Sequence, residues 1–376
     1  MDLDLNRGGL SNGQILLRCA VWMVGVKLFT MVVGHIASGG LDAFDPNTWI
    51  RATDIPHYMD IAREGYVSTG EHAMWIVFLP LYPYTLGALG AITGEYFWTG
   101  SLLSMAYLVV AGFYLFKLVR ADFGERQAKR TLKYLMLFPT IFFAMLPMSE
   151  GLFLMLSAMF LYYLRQGKML LAGILGALAA FTRSVGVVLV LPLIMEAYQR
   201  TFQEGFQKKL FGRWVKKSLP ALIIPLGTIA YLLINYIVFG DFFKFQYYQQ
   251  LNWSQGLTFF WNTLNLLMDN LQTYDLLHSI ALWLSQLVFI FWGMVMLILS
   301  ARWRAMYSFF SFPVLVYSIS ATWLLSAPRY LMAMLPCIME MGLRAEKRWV
   351  DWTITATETV LLAALTANLV MVGMIY

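Results

Sequence analysis

The chain has 376 residues, of which 60% are hydrophobic and only 13% charged, and its formal charge is +6. A soluble domain carries about a quarter of its residues as charges, so this composition excludes one and defines a chain that crosses a membrane several times. Its apolar runs do not alternate between two faces over about 10 residues, which excludes a membrane-spanning β-barrel.

Residues 14–37 form the first apolar run, longer than the roughly 20 residues a spanning helix needs. The run lacks a small-residue cleavage site and reads as a permanent anchor, not a signal peptide. RATDIPHYMDIAREGY, residues 51–66, then interrupts it with a polar, carboxylate-rich stretch inside a first loop of about residues 38–75. Residues 76–93 (IVFLPLYPYTLGALGAIT) carry Pro80 and Pro83 near their start and read as a juxtamembrane or re-entrant segment. Residues 98–119 are the better span. Further helices are expected near 131–146, 151–164, 170–182, 185–198, 219–239, 277–299, 305–325, 330–342 and 353–376. A second large loop covers about residues 240–276.

Most Lys and Arg fall in residues 117–133, 165–168, 200–217, 302–304 and 344–348, all short connections between apolar runs. That is the positive-inside pattern of cytoplasmic loops, and no nucleic-acid partner is called for. Placing these loops inside gives a cytoplasmic N-terminus, about eleven crossings and an outer C-terminus. Several runs of only about 13 to 16 residues fall short of a full span and require local thinning or burial against neighbours. The expected class is an all-α polytopic membrane protein. It forms one transmembrane domain over residues 1–376, with juxtamembrane helices in the first outer loop and no soluble domain. The size suits a bacterial cell membrane, with membrane lipids as surroundings. Cys19 and Cys337 both lie in apolar runs, so neither a disulfide framework nor a CxxC metal site is expected.

This topology leaves a few polar features outside: the 51–66 stretch, Pro147-Met148-Ser149-Glu150, Arg183-Ser184, the 240–276 loop (beginning GDFFKFQYYQQLNWSQG) and Ser326-Ala327-Pro328-Arg329-Tyr330. Outward Arg183, Lys244 and Arg329 run against the charge rule, and such exceptions are where function is sought. Asp54 precedes Ile55-Pro56 and on the residues alone suits a helix N-cap first and a catalytic base second. His57 and Tyr58 lie three and four residues beyond it and share its helix face. Asp60 and Glu64 read as a solvated face with Arg63. Asp54, His57 and Asp60 are too loosely spaced for a metal site, and nearby cations already supply the charge a metal would bring. Glu150 opens an apolar helix, where a carboxylate favours the macrodipole. Arg183 at membrane depth needs a partner, either Glu150 or a phosphate. Arg329 stands at a helix start, the unfavourable end for a cation, so an anion is expected beside it and a phosphate fits. Lys244 with Phe242, Phe243, Phe245, Tyr247 and Tyr248 lines either a prenyl or sugar groove, or an interfacial aromatic belt with a snorkelling lysine.

DIPHYMDIAREGY, FLPLYP, LMLFPTIFF with MSEGLFL, ALAAFTRSVGVVLVLPL and SAPRYLMAMLP follow one another between about residues 53 and 336. In that order they resemble the membrane mannosyltransferases of the GPI mannosyltransferase II type, within the GT-C glycosyltransferases. One departure stands out: Thr53 occupies the place where that family usually has Trp before the first-loop Asp, and it bears on the sugar or acceptor contact. The resemblance implies a GT-C-like bundle that transfers a hexose, with mannose the first choice. The sugar would move with inversion from a polyprenyl-phosphate donor to an acceptor on the outer face. Such a transfer needs a carboxylate to take the acceptor proton and cations around the departing phosphate. On this reading Asp54 is the general base, and Arg183, Arg329 and Lys244 meet the donor phosphate. His57, Tyr58, Glu150, Tyr82 and Tyr330 contact sugar or acceptor. No metal or other cofactor is implied, the lipid-linked sugar phosphate being the donor substrate. Two rivals remain: a polyprenyl-phosphate-dependent saccharide polymerase, and a transporter or flippase of lipid phosphates, which would place an ionisable group at the midplane of matching broken helices.

Overall fold

The first long helix, α1 (Asn12–Ala37), starts at a reciprocal cap: Ser11 Oγ accepts from the Gln14 amide while the Gln14 side chain accepts from Ser11 N–H, so two orphan donors are satisfied at once. A computed structural model describes residues 9–40, 45–50, 53–274, 279–324 and 326–372. Arg51, residues 277–278 of the expected 277–299 helix, Leu325, and residues 373–376 of the last helix lie outside the described residues.

The first loop holds α2 (Pro46–Ile50) and α3 (Ile55–Glu64), followed by a 3-10 turn at Glu71–Val77. Next come α4 (Leu81–Thr93), α5 (Phe97–Phe123), α6 (Glu125–Leu137), α7 (Glu150–Arg165), α8 (Met169–Thr182) and α9 (Val190–Thr201). The short α10 (Phe211–Ser218) leads into α11 (Ile224–Phe239). The second large loop carries α12 (Lys244–Trp253) and α13 (Phe260–Thr273), and α14 (Ser285–Ser300), α15 (Ala305–Ile319), α16 (Ala327–Leu331), α17 (Leu335–Arg344) and α18 (Arg348–Val372) follow. Among the described residues no strand occurs, only one isolated antiparallel bridge between Leu257 and Ala321.

Among the described residues, five helical runs are long and apolar enough to cross a membrane: Asn12–Ala37, Phe97–Phe123, Lys208–Phe239, Leu282–Ser300 and Arg348–Met371. Met169–Thr182 and Ala305–Ile319 are apolar but shorter. Prolines cut two of the expected helices. The 131–146 helix stops at Leu137, because Phe138, held extended (φ −53°, ψ 132°) by Pro139, cannot continue it, and the chain resumes as a 3-10 turn at Ile141–Met145. The 330–342 helix is two pieces, α16 and α17, with Pro336 in the first turn of the second. The 240–276 stretch, expected as a loop, is mostly helical.

Helix α7 is the buried axis of the bundle, packed between α5 and α8. Its start is held at backbone contact: a Cβ on Gly151 would stand 2.8 Å from Ser104 O and 2.9 Å from Ala144 O. At its other end the basic connections gather. Arg165 pairs with Asp122 at 2.7 Å, and Tyr307 donates to the same carboxylate at 2.6 Å. Arg200 and Arg304 close on the fully buried Glu196, and Arg302, Arg344 and Trp303 close on the fully buried Glu340. Glu150 and Arg165 are separated by the length of α7, about 22 Å at 1.5 Å per residue. The fold therefore holds two charged layers with an apolar zone between them.

Small residues set the closest helix contacts, as is usual where lipid removes the hydrophobic drive between helices. A Cβ on Gly227 of α11 would lie 2.0 Å from Ala177 O of α8. Gly227→Ala is expected to lose roughly 1–3 kcal/mol by overpacking. Gly25→Ala in α1, where nothing lies within 4 Å, should be neutral or gain up to about 1 kcal/mol. Thermal unfolding of both variants in detergent checks the pair.

Candidate active site

Asp54 occupies the N-cap position of α3, yet its side chain makes no capping hydrogen bond. Pro56 in the first turn already removes one of the donors that a cap would serve. The carboxylate instead accepts from Arg329 Nη1 at 3.0 Å. Capping, one of the two readings open from the sequence, is therefore not what this side chain does. It stays 23% exposed while Arg329 is 7% exposed, so the pair lies at the edge of the bundle.

Arg329 bridges two carboxylates. Its Nε donates to Glu150 Oε1 at 2.5 Å, while Nη1 serves Asp54. Arg183 Nη1 donates to the same Glu150 oxygen at 2.5 Å and to Ser149 Oγ at 3.1 Å. The anion that the sequence requires beside Arg329 is thus supplied by Glu150 and Asp54, and Arg183 has the Glu150 partner foreseen as one of its two options. Two arginines and two carboxylates bring the cluster to a formal charge of zero, which lets it persist next to hydrocarbon. Glu150 is 3% exposed and its Oε2 has no partner. Arg183 Nε and the Nη2 atoms of both arginines also make no hydrogen bond among the described residues. Each guanidinium thus keeps donors in reserve.

Aromatic groups wall the cluster. Arg329 lies over the Phe143 ring at 4.9 Å and Arg183 over Tyr330 at 5.7 Å. Tyr58 reaches the cluster through a 3.0 Å hydrogen bond between its hydroxyl and Ser149 Oγ. His57 turns away from it and stacks on Trp75 at 3.8 Å, with Phe78 at 5.1 Å and Trp253 at 6.1 Å. Burial pushes its imidazole below the ordinary value, partly offset by the carboxylates of Asp54 and Asp60. Its Nδ1 and Trp75 Nε1 are buried without partners. Asp60 pairs with Arg63 at 3.5 Å on the outer face of α3.

Two of the expected residues are placed differently. Tyr82 is fully buried, its hydroxyl bonded to Gly100 O at 3.1 Å and Ser104 Oγ at 3.0 Å. It fastens α4 to α5 and supports the Tyr58 ring from below at 5.5 Å, so the sugar contact expected of it is corrected to packing. Lys244 is not brought to the arginine cluster, and its ammonium rests over Tyr247 at 4.3 Å and Tyr248 at 5.3 Å. That is the geometry of the interfacial alternative.

Sequence reasoning named Ser149 and Ser184 only as neighbours of Glu150 and Arg183 and gave neither hydroxyl a role. Ser149 links Tyr58 to Arg183, and Ser184 accepts from Tyr317 at 2.7 Å. Their only signal is adjacency to Glu150 and Arg183. Thr140 Oγ1 donates to Pro328 O at 3.1 Å and holds the Arg329 turn against the segment before α7.

No family model matches the chain, and no curated protein matches it in sequence. Solved structures do match. The crystal structure of ArnT from Cupriavidus metallidurans bound to undecaprenyl phosphate is 16% identical, with a TM-score of 0.54 over 91% of this chain and 63% of that one. The apo oligosaccharyltransferase of Archaeoglobus fulgidus is 12% identical, with a TM-score of 0.44 over 94% of this chain and 56% of that one. The chain thus spans less than two thirds of the length of these neighbours. The bundle described here shares the fold of the ArnT structure.

Proposed function

We propose that the chain is a polyprenyl-phosphate-dependent hexosyltransferase, mannose being the first choice, acting with inversion on the outer face of a bacterial cell membrane, in glycolipid or cell-envelope glycan synthesis. The observation that carries this reading is the Asp54 carboxylate. It stands at a helix N-terminus without capping it, partly exposed, and is tied through Arg329 to the buried Glu150 and its second partner Arg183 in an otherwise apolar bundle. A GT-C-like fold and a neighbour solved with undecaprenyl phosphate support a polyprenyl-phosphate donor, and the ordered motifs support mannose.

In this scheme Asp54 takes the proton of the acceptor hydroxyl as that oxygen attacks the anomeric carbon. The anomeric C–O bond to phosphate breaks, and the leaving polyprenyl phosphate gains one negative charge. Protonated Asp54 simultaneously loses one, so the total charge of the site is unchanged. Arg329, released from Asp54, turns to the phosphate, where a fixed donor in a dry site is worth most. Purification with native lipids and a screen of polyprenyl-phosphate hexoses for turnover tests the reading. Mannose transfer is the expected result. Movement of the lipid phosphate across vesicles without sugar transfer would establish the flippase instead.

The outward placement is tested separately. In a background lacking Cys19 and Cys337, both buried, Ser68→Cys and Glu204→Cys are expected to label from opposite sides of the membrane with an impermeant thiol reagent. Labelling of both from one side refutes the topology.

A further inference from the structure

We infer that the α10 segment is a binding site for an anionic glycerophospholipid on the face of the membrane opposite the arginine cluster. Lys208, Lys209, Arg213, Lys216 and Lys217 lie within ten residues, and among the described residues none of them pairs with a carboxylate. This contrasts with the neighbouring basic connections, whose Arg165, Arg200 and Arg304 are all engaged by Asp122 and Glu196. Five cations without a carboxylate partner inside ten residues form a dense positive patch that calls for an external anion.

The anion has an apolar body. The helical run Lys208–Phe239 is 32 residues long, well over the roughly 20 that a helix needs to cross the hydrocarbon core. Its first third therefore sits among headgroups. There α10 separates two grooves. One, of about 290 Å³, is lined by Ile194, Trp214, Val215, Leu219 and Leu222, and the other, of about 530 Å³, by Phe206, Phe211, Gly212 and Lys208. Val215 and Leu222 are 40% and 70% exposed. Ser218 borders the first groove, and its Oγ is buried without a partner. An acyl chain fits the apolar wall, Lys217 meets a phosphodiester, and the remaining cations hold the field that favours an anionic headgroup. This site is independent of the proposed transfer reaction.

The test is native mass spectrometry of the delipidated full chain with three probes: dioleoyl phosphatidylglycerol, the corresponding phosphatidylcholine, and inorganic phosphate. The parent is expected to retain the anionic lipid at least about tenfold better than the zwitterionic one, with no displacement by millimolar phosphate. Arg213→Gln/Lys216→Gln/Lys217→Gln should abolish the preference, and Leu222→Trp, which fills the groove, should weaken retention of both lipids. Equal retention of the two lipids by the parent, full displacement by phosphate, or an unchanged preference in the triple variant overturns the site. If the triple variant does not fold, the parent decides: its preference must collapse near about 0.5 M salt, and survival there overturns the proposal.

Discussion

Asp54→Asn is expected to lower turnover at least about a hundredfold, within the 10²- to 10⁴-fold that a positioned general base typically supplies, while donor binding survives. The substitution is clean in this structure. The carboxylate makes no capping bond, so the stability of α3 does not depend on it, and an amide oxygen still accepts from Arg329 Nη1 as the carboxylate does at 3.0 Å. What Asn cannot do is take a proton. Initial rates with a verified polyprenyl-phosphate donor, together with donor binding to the same preparation, give the result. Near-parental turnover would move the base elsewhere, and Glu150, with Oε2 unpartnered and close to the same arginine, would be next.

The all-helical bundle and the clustering of basic connections were legible because burial in lipid forces long apolar runs and the charge rule sorts their ends. The breaks were legible only in part. Pro139 and Pro336 were visible in sequence, but nothing local announced that they divide runs already too short to span. The helices α12 and α13 escaped notice because their hydropathy is mixed and their aromatics read as a belt. Asp54, Glu150, Arg183 and Arg329 were all singled out. Their mutual contacts were not all foreseeable, since Arg329 lies 275 residues from Asp54 and 179 from Glu150, and no spacing rule reaches that far. Tyr82 failed for a related reason: a tyrosine in a polar motif looks like a ligand contact until its hydroxyl is seen to be spent on Gly100 and Ser104.

Arg329→Lys is expected to fold and still lose about 10²-fold or more in kcat/KM, the usual cost of removing one fixed donor to a developing charge. One planar guanidinium here spans Glu150 through Nε and Asp54 through Nη1, and an ammonium on a flexible stem cannot reproduce that fork. Arg329→Ala is a harsher change. It leaves Glu150, 3% exposed, with Arg183 alone and Asp54 with no cation, and breaking such a buried pair costs about 3–5 kcal/mol, read as a fall in thermal stability. If Arg329 served packing alone, the Lys variant would lose stability while its kcat/KM per folded molecule stayed parental. The decisive comparison is with Asp54→Asn. In the proposed scheme the base and the arginine serve one transition state, so a variant that lacks the base no longer draws on the full contribution of the arginine. The two losses are then not additive: Asp54→Asn/Arg329→Lys is expected to be little slower than the slower single variant. Fully multiplied losses would show that the arginine and the carboxylate act in separate steps and would refute the charge exchange between them.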